Sequence, residues 1–258
     1  MKIHLSLILI FSLLLFSCPS QEKKTNSPGG KPVSTVPPKE ITPKPILPFE
    51  MEFPKGFALL SQVSGDLDKD GIVEKVAVLN NNIKSDIGEE RTILIFKVDN
   101  GAWKIWERAT GAILPSKNGG MMGDPFQSIK VENGTLVINH FGGSRSKWEY
   151  THRFRFQNER WELIGATSNF FTPCVNQTTF DYNLSSGNVI YREVVMTCKD
   201  GENEKIKTVH KNINFKDIKN QLPSLNGFDP SSVFAVNSKS GDCFPEGACY
   251  EYNQKKNQ

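Results

Sequence analysis

Lys147–Phe156, KWEYTHRFRF, decides the fold class because its side chains alternate in character with a period of two residues. One face of this stretch is aromatic and consists of Trp148, Tyr150, His152, Phe154 and Phe156. The other face is polar and consists of Lys147, Glu149, Thr151, Arg153 and Arg155. This alternation predicts a strand with one buried and one solvated face, as antiparallel sheets have.

Strand and turn signals continue on both sides of this stretch. Asn158-Glu159 leads into a second strand over residues 160–164, and the pairs Asn100-Gly101 and Asn133-Gly134 are typical of two-residue hairpin turns. Further strands are predicted at residues 57–63, 73–79 and 205–213. The region 51–258 is therefore predicted to be a single all-β domain, an antiparallel meander of about ten short strands closed as a barrel or packed as a sandwich.

One short helix is expected near the C-terminus. Asn214 would cap it and Gln221 would end it, because Phe215, Ile218 and Leu222 recur at helical spacing and Pro223 follows.

The cysteines predict two disulfides in an exported chain. Four cysteines besides Cys18 are present, Cys174, Cys198, Cys243 and Cys249, and four allow three pairings. A hairpin folded about Ser186 pairs Cys174 with Cys198 and Tyr182 with Ile190, which leaves Cys243 and Cys249 for the second bond. The same register collects six residues on one face: Phe180, Tyr182, Leu184, Ile190, Val194 and Met196. Arg192 is the misfit on that face.

Charge and proline content divide the chain. With 31 basic and 28 acidic residues the net charge is +3, too balanced to indicate a nucleic-acid partner. Eight of the 15 prolines lie between residues 19 and 48, where almost nothing apolar is available for burial. Residues 18–50 are therefore predicted to be an extended tether ahead of the folded domain.

The N-terminus predicts export and a membrane anchor. The apolar run over residues 5–16 follows Lys2 and is too short to span a bilayer, so residues 1–17 are interpreted as a signal peptide. Leu15-Phe16-Ser17-Cys18 resembles the bacterial lipobox, although Phe16 departs from its usual pattern. This resemblance implies lipidation of Cys18, and Pro19 after it favours the outer membrane. The alternative is an ordinary secretory signal and an unmodified Cys18.

The loop over residues 65–74, GDLDKDGIVE, carries the strongest local motif. Alternating carboxylates followed by a glycine can wrap a hard cation, and Ala77 at the twelfth position excludes an EF-hand. The loop resembles the short calcium loops of FG-GAP domains. That resemblance implies five Ca²⁺ ligands: Asp66, Asp68, Asp70, Glu74 and the carbonyl of Ile72. The alternative is a loop whose aspartates only cap their own backbone.

Two glycine-rich segments, residues 119–126 and 140–145, suggest a second site. Asp124, His140, Arg145 and His152 are predicted to line one pocket, with the two histidines either reactive or hydrogen-bonded within the core. The stretches GAILPS, MMGDPF and HFGGSR in this region also resemble a family of bacterial lipoproteins to which no activity is assigned.

These features favour a lipid-anchored envelope lipoprotein that acts as a non-enzymatic binding or structural module. A surface adhesin for host or matrix partners is the first alternative, and an envelope hydrolase is the second. The hydrolase is disfavoured because the sequence contains neither a GxSxG nor an HExxH motif.

Overall fold

The computed structural model describes Phe49, residues 53–199, residues 202–249 and Tyr252, without the side chains of residues 83, 84, 199 and 202–208. The predicted signal peptide, Cys18 and the predicted tether up to residue 48 lie outside the described residues. Where the chain is described, no helix is both long and apolar enough to cross a membrane.

Antiparallel strands dominate the described residues. They are β1 (Phe57–Gly65), β2 (Glu74–Ser85), β3 (Gly88–Asp99), β4 (Ala102–Thr110), β5 (Phe126–Glu132), β6 (Thr135–Gly143), β7 (Lys147–Gln157), β8 (Arg160–Thr172), β9 (Asn176–Asn183), β10 (Asn188–Lys199), β11 (Glu202–Lys216), β12 (Ala235–Val236) and β13 (Cys243–Phe244).

The strands form two large sheets in which sequence neighbours are also neighbours in space. β1 to β4 make a four-stranded sheet in chain order, β5 to β11 make a seven-stranded sheet, and β12 pairs with β13. The all-β meander is therefore confirmed, and these described sheets are open and sandwich-like rather than a closed barrel.

Three predicted turns occur where the sequence placed them. Asn100, Asn133 and Asn158 have φ angles of 52°, 53° and 51° and begin the β3–β4, β5–β6 and β7–β8 turns. Left-handed conformations at these positions match the right-handed twist of the flanking strands, which is why asparagine and glycine are preferred there.

A single core joins the inner faces of both large sheets. The four-stranded sheet contributes Val76 and Val78 from β2 and Ile93 and Ile95 from β3. The seven-stranded sheet contributes, among others, Leu136, Ile138, Phe154, Trp161 and Leu163. Fully burying such side chains stabilises a fold by about 1.5–3 kcal/mol each, so the period-two pattern of these strands holds the sheets together.

The outer face of the four-stranded sheet is also covered. Leu94 and Phe96 on β3 belong to a second apolar cluster, against which Phe49 packs. The ring of Phe49 lies 4.8 Å from that of Trp103 and 5.3 Å from that of Phe96, measured between centroids. Phe49 falls within the predicted tether, so packing against the domain begins before residue 51.

The predicted register of the β9–β10 hairpin is wrong by one residue. Tyr182 pairs with Val189 instead of Ile190, because the turn has four residues between Asn183 and Asn188. The buried face therefore holds Val189 and Tyr191 in place of Ile190, Val194 and Met196. Arg192, the misfit of the predicted register, is exposed.

Both predicted cysteine pairs are at disulfide distance. The Sγ atoms of Cys174 and Cys198 are 2.11 Å apart, and those of Cys243 and Cys249 are 1.99 Å apart. Cys174 lies in the β8–β9 turn with a φ of 61°, beyond the last β9–β10 pair of Asn176 with Val195, so the shifted register of that ladder does not prevent its approach to Cys198.

The predicted C-terminal helix is wrong. Asn214 and Phe215 continue β11, which stays paired with β10 up to Lys216 opposite Asn188. Phe215 packs with its ring centroid 5.7 Å from that of Phe244, whereas Ile218, expected on the same helical face, is 74% exposed. Strand pairing and the contact with Phe244 prevail over a local spacing that also suits a helix.

Candidate functional site

The aspartate-rich loop connects β1 to β2, as the sequence predicted. Its backbone is held by its own side chains: Gly71 N–H donates to Asp66 Oδ2 at 3.1 Å, and Ile72 N–H donates to Asp70 Oδ1 at 2.8 Å. Asp70 N–H donates more weakly to Asp68 Oδ1 at 3.3 Å. Gly71 has a φ of 86°, which a residue with a side chain rarely adopts.

Glu74 enters the core because it is the first residue of β2. It precedes Val76 and Val78 on the inward face, and its side chain is fully buried. Leu67 N–H donates to Glu74 Oε2 at 2.6 Å, but Glu74 Oε1 is buried with no partner among the described residues. Asp66 Oδ1 is likewise buried and unpartnered within the described part of the chain. Each such acceptor costs about 1–3 kcal/mol when left unsatisfied.

Three acidic side chains converge at this point. One carboxylate oxygen from each of Asp66, Asp68 and Glu74 lies within 4.8 Å of the other two. Like charges at this separation repel, and the oxygen ligands they offer are those that hard cations prefer. The cluster can therefore hold a metal ion.

Lys97 on β3 brings a positive charge to this cluster. Its ammonium contacts the Asp68 carboxylate and lies 3.3 Å from Asp70 Oδ2. The hydrogen bond to Asp68 raises the pKa of Lys97. Lys97 does not bond to the unpartnered oxygens of Asp66 and Glu74, so it neutralises only part of the negative charge of the cluster.

Burial raises the pKa of the Glu74 carboxyl, and the charges of Asp68 and Asp70 act in the same direction against the hydrogen bond from Leu67. The Ile72 N–H lowers the pKa of Asp70, which lies near the surface. The ionised Glu74 carboxylate therefore destabilises the fold unless a cation lies nearby.

The structure brings together three of the five predicted ligands. Asp66, Asp68 and Glu74 form the cluster, whereas Asp70 is engaged by Ile72 N–H and Lys97. Ligation by Asp70 and by the Ile72 carbonyl stays a prediction. Lys97 was missed because it lies 29 residues from Asp68 in sequence and approaches the loop only through the pairing of β2 with β3.

The second predicted site is split between two places in the fold. His140, fully buried on β6, accepts a hydrogen bond from Leu114 N–H at its Nε2, 3.2 Å away. Asp124 accepts from the buried Arg91 guanidinium, with Nη1 2.7 Å from Oδ1. Arg145 is exposed in the β6–β7 turn.

His152 instead lines a cavity of about 210 Å³ that Asp124, His140 and Arg145 do not line. Burial lowers the pKa of His152 to about 3, and the charges of His140 and Arg153 act in the same direction. Burial also lowers the pKa of His140 to about 4, assisted by Arg91 and opposed by Asp124. Both imidazoles are therefore neutral at physiological pH.

Three comparisons with known proteins give no match. No family model matches the chain, and no curated protein or solved structure matches it.

The buried histidines predict acid sensitivity. Their folded pKa values lie below the unfolded value of 6.5, so the stability they contribute is present above pH 6.5 and is lost as pH falls toward 4. Each should contribute about 1.4 kcal/mol per pH unit over this range. His152→Leu lacks one of these two contributions. Its free energy of unfolding, measured in urea at pH 6.5, 5.5 and 4.5, should therefore fall less steeply with falling pH than that of the wild type. Tyr150→Phe, on the same face, is the control, and an unaltered slope in His152→Leu would contradict the assignment.

Proposed function

We propose that this protein is a lipid-anchored, non-enzymatic module of the bacterial cell envelope, in which a calcium ion braces the β1–β2 loop. The calcium part depends on one observation above all. Asp66 Oδ1 and Glu74 Oε1 are buried, lack a partner among the described residues, and belong to the carboxylate cluster. A divalent cation would satisfy both oxygens at once.

Calcium suits these ligands better than other common ions. Thiolate and imidazole ligands, which copper and zinc sites favour, do not contribute to this cluster of three carboxylates. Mg²⁺ requires near-ideal octahedral geometry, whereas Ca²⁺ accepts carboxylates and backbone carbonyls in irregular arrangements. A loop that already turns sharply at Gly71 can supply such an arrangement.

The loop is placed where an ion would stabilise the join between the sheets. Leu67 is buried in the common core, and a Cβ placed on Gly65 would lie 2.4 Å from Val131 of β5. A Cβ on Gly134, in the β5–β6 turn, would lie 2.8 Å from the Lys69 side chain. The loop therefore packs tightly against the turn end of the β5–β6 hairpin, and fixing it would fix that contact. A structural role for the ion follows.

Calcium should raise the thermal stability of the full chain, and EDTA should reverse the effect. At a hundredfold excess over Kd, binding adds about 2.7 kcal/mol, which for a domain of this size raises Tm by roughly 5–10 °C. Glu74→Gln should abolish the response, whereas Asp99→Asn, an exposed acid paired with Lys104, should keep it. Differential scanning calorimetry with Ca²⁺ and with EDTA measures both.

The Lys97→Met variant distinguishes a loop that binds a metal ion from a loop whose aspartates are neutralised only by Lys97. Removing the competing ammonium should tighten Ca²⁺ binding in calorimetric titrations, because two cations cannot occupy one cluster of carboxylates. The same Tm in Ca²⁺ and in EDTA for both wild type and Lys97→Met would leave only backbone capping by the aspartates.

Export and anchoring are supported by the N-terminal sequence and by the cysteines. Two cysteine pairs at disulfide distance suit an oxidising compartment such as the periplasm or cell surface. A lipidated cysteine with several acyl chains would hold the protein on a membrane, since each buried CH₂ adds about 0.8 kcal/mol.

Mass spectrometry of the mature N-terminus tests the anchor. The expected mature chain begins at Cys18 and carries a diacylglyceryl thioether and an N-acyl chain, so Cys18→Ser should release the protein into the soluble fraction. The sequence has no other cysteine before Cys174, so this single change removes every acceptor near the N-terminus. A mature chain in which Cys18 is a free thiol would refute lipidation.

A further inference from the structure

The cavity beside His152 lies on one face of the seven-stranded sheet. Tyr150 of β7 is opposite Ser168 of β8, and Ser168 is opposite Phe180 of β9, so these three side chains form a row across the sheet. His152 and Phe170 flank this row on the same face, since each is two residues from a member of it. All five residues line the cavity.

The C-terminal segment covers this row. The segment contributes Pro230, Ser231, Val233, Pro245, Gly247 and Ala248, and β8 adds Ala166 and Thr167. The cavity has a volume of about 210 Å³. Pro230 and Pro245 are buried, whereas Ser231 and Gly247 are exposed and their neighbours Val233 and Ala248 are partly buried, which places these four nearer the opening. The volume equals that of roughly seven liquid waters and is smaller than the roughly 300–1,000 Å³ of drug-sized sites.

Two buried polar atoms belong to residues of this lining. His152 is 2% exposed and Ser168 is 8% exposed, and neither His152 Nδ1 nor Ser168 Oγ has a hydrogen-bond partner among the described residues. A ligand group that both donates and accepts a hydrogen bond would suit a neutral imidazole and a hydroxyl together.

The lining is uncharged. No residue of this lining is an aspartate, glutamate, lysine or arginine. Burial keeps the His152 imidazole neutral, and burial together with the charge of Asp229 raises the pKa of Tyr150 to about 12. An ion entering this cavity would lose its hydration without gaining an opposite charge, so the ligand should be neutral.

We propose that this cavity binds a small neutral aromatic alcohol of about the size of phenol. The rings of Tyr150, Phe170 and Phe180 and the two prolines would surround the apolar ring. The hydroxyl would meet the side chains of His152 and Ser168, which line the cavity and each carry a buried polar atom without a partner in the described part of the chain. Aromatic side chains contribute both area and favourable edge or face contacts to such a ring.

Binding is favoured over catalysis at this site. A serine nucleophile requires a hydrogen-bonded base, and the Ser168 hydroxyl and the His152 Nδ1 are not bonded to each other or to another described group. This inference gives a ligand class to the binding role proposed above, but it uses neither the anchor nor the calcium loop. Its failure would therefore leave both of those standing.

Titration calorimetry of the full chain with phenol tests the proposal. Phenol should bind, and toluene, which lacks the hydroxyl, should bind at least about fivefold more weakly, as expected for loss of one hydrogen bond. Benzoate, which is similar in size but anionic, should show no binding. The titrations are run both with Ca²⁺ and with EDTA, so that an effect of the β1–β2 loop is recognised separately.

Variants locate the binding site. Ser168→Ala should weaken phenol binding at least about fivefold, whereas Ser128→Ala, a serine on β5 of the same sheet outside the cavity, should leave it unchanged. Ala248→Phe should block the opening and abolish binding without altering the circular dichroism spectrum. No phenol binding, benzoate binding equal to that of phenol, or unchanged binding in both Ser168→Ala and Ala248→Phe would overturn the proposal.

Discussion

Each large sheet buries one face against the other, and the two-residue period of a strand determines which side chains enter the shared core. A side chain therefore enters the core because of its position along the strand, whether it is apolar or polar. Glu74 therefore faces inward two residues before Val76, His140 faces inward two residues after Ile138, and His152 faces inward two residues before Phe154. Moving any of these residues to solvent would require a register slip that also exposes apolar neighbours.

Each of these three inward-facing polar residues has one buried atom without a partner among the described residues, and their surroundings separate a structural position from candidate sites. His140 leaves Nδ1 without a partner, but its Nε2 accepts a hydrogen bond from the Leu114 backbone and it lies near the Arg91–Asp124 pair, so it ties a loop to the sheet. Glu74 has one satisfied and one unsatisfied oxygen beside two other acids. His152 has an unsatisfied Nδ1 and lines a cavity. Unsatisfied groups of this kind cost stability unless a ligand or ion completes them.

Local signals predicted much of this structure, whereas long-range contacts were largely out of reach. Neighbouring residues or simple spacings were enough to predict the alternation in Lys147–Phe156, the asparagine turns and the pairing of Cys174 with Cys198. The helix expected from Asn214 was wrong because its spacing also suits a strand, and β10 and Phe244 favour the strand. The positions of Lys97 at the acidic cluster and of Phe49 on β3 depend on pairing between distant segments, which one sequence does not reveal.

We propose that the inward carboxylate of Glu74 belongs to a cation site that holds the β1–β2 loop against the β5–β6 hairpin. A crystal structure of the protein grown with calcium tests it most directly through anomalous scattering. A peak is expected between Asp66, Asp68 and Glu74, with oxygen distances of about 2.3–2.6 Å and the Lys97 ammonium displaced. Absence of that peak, with Lys97 still bound to Asp68 in calcium-containing crystals, would contradict it.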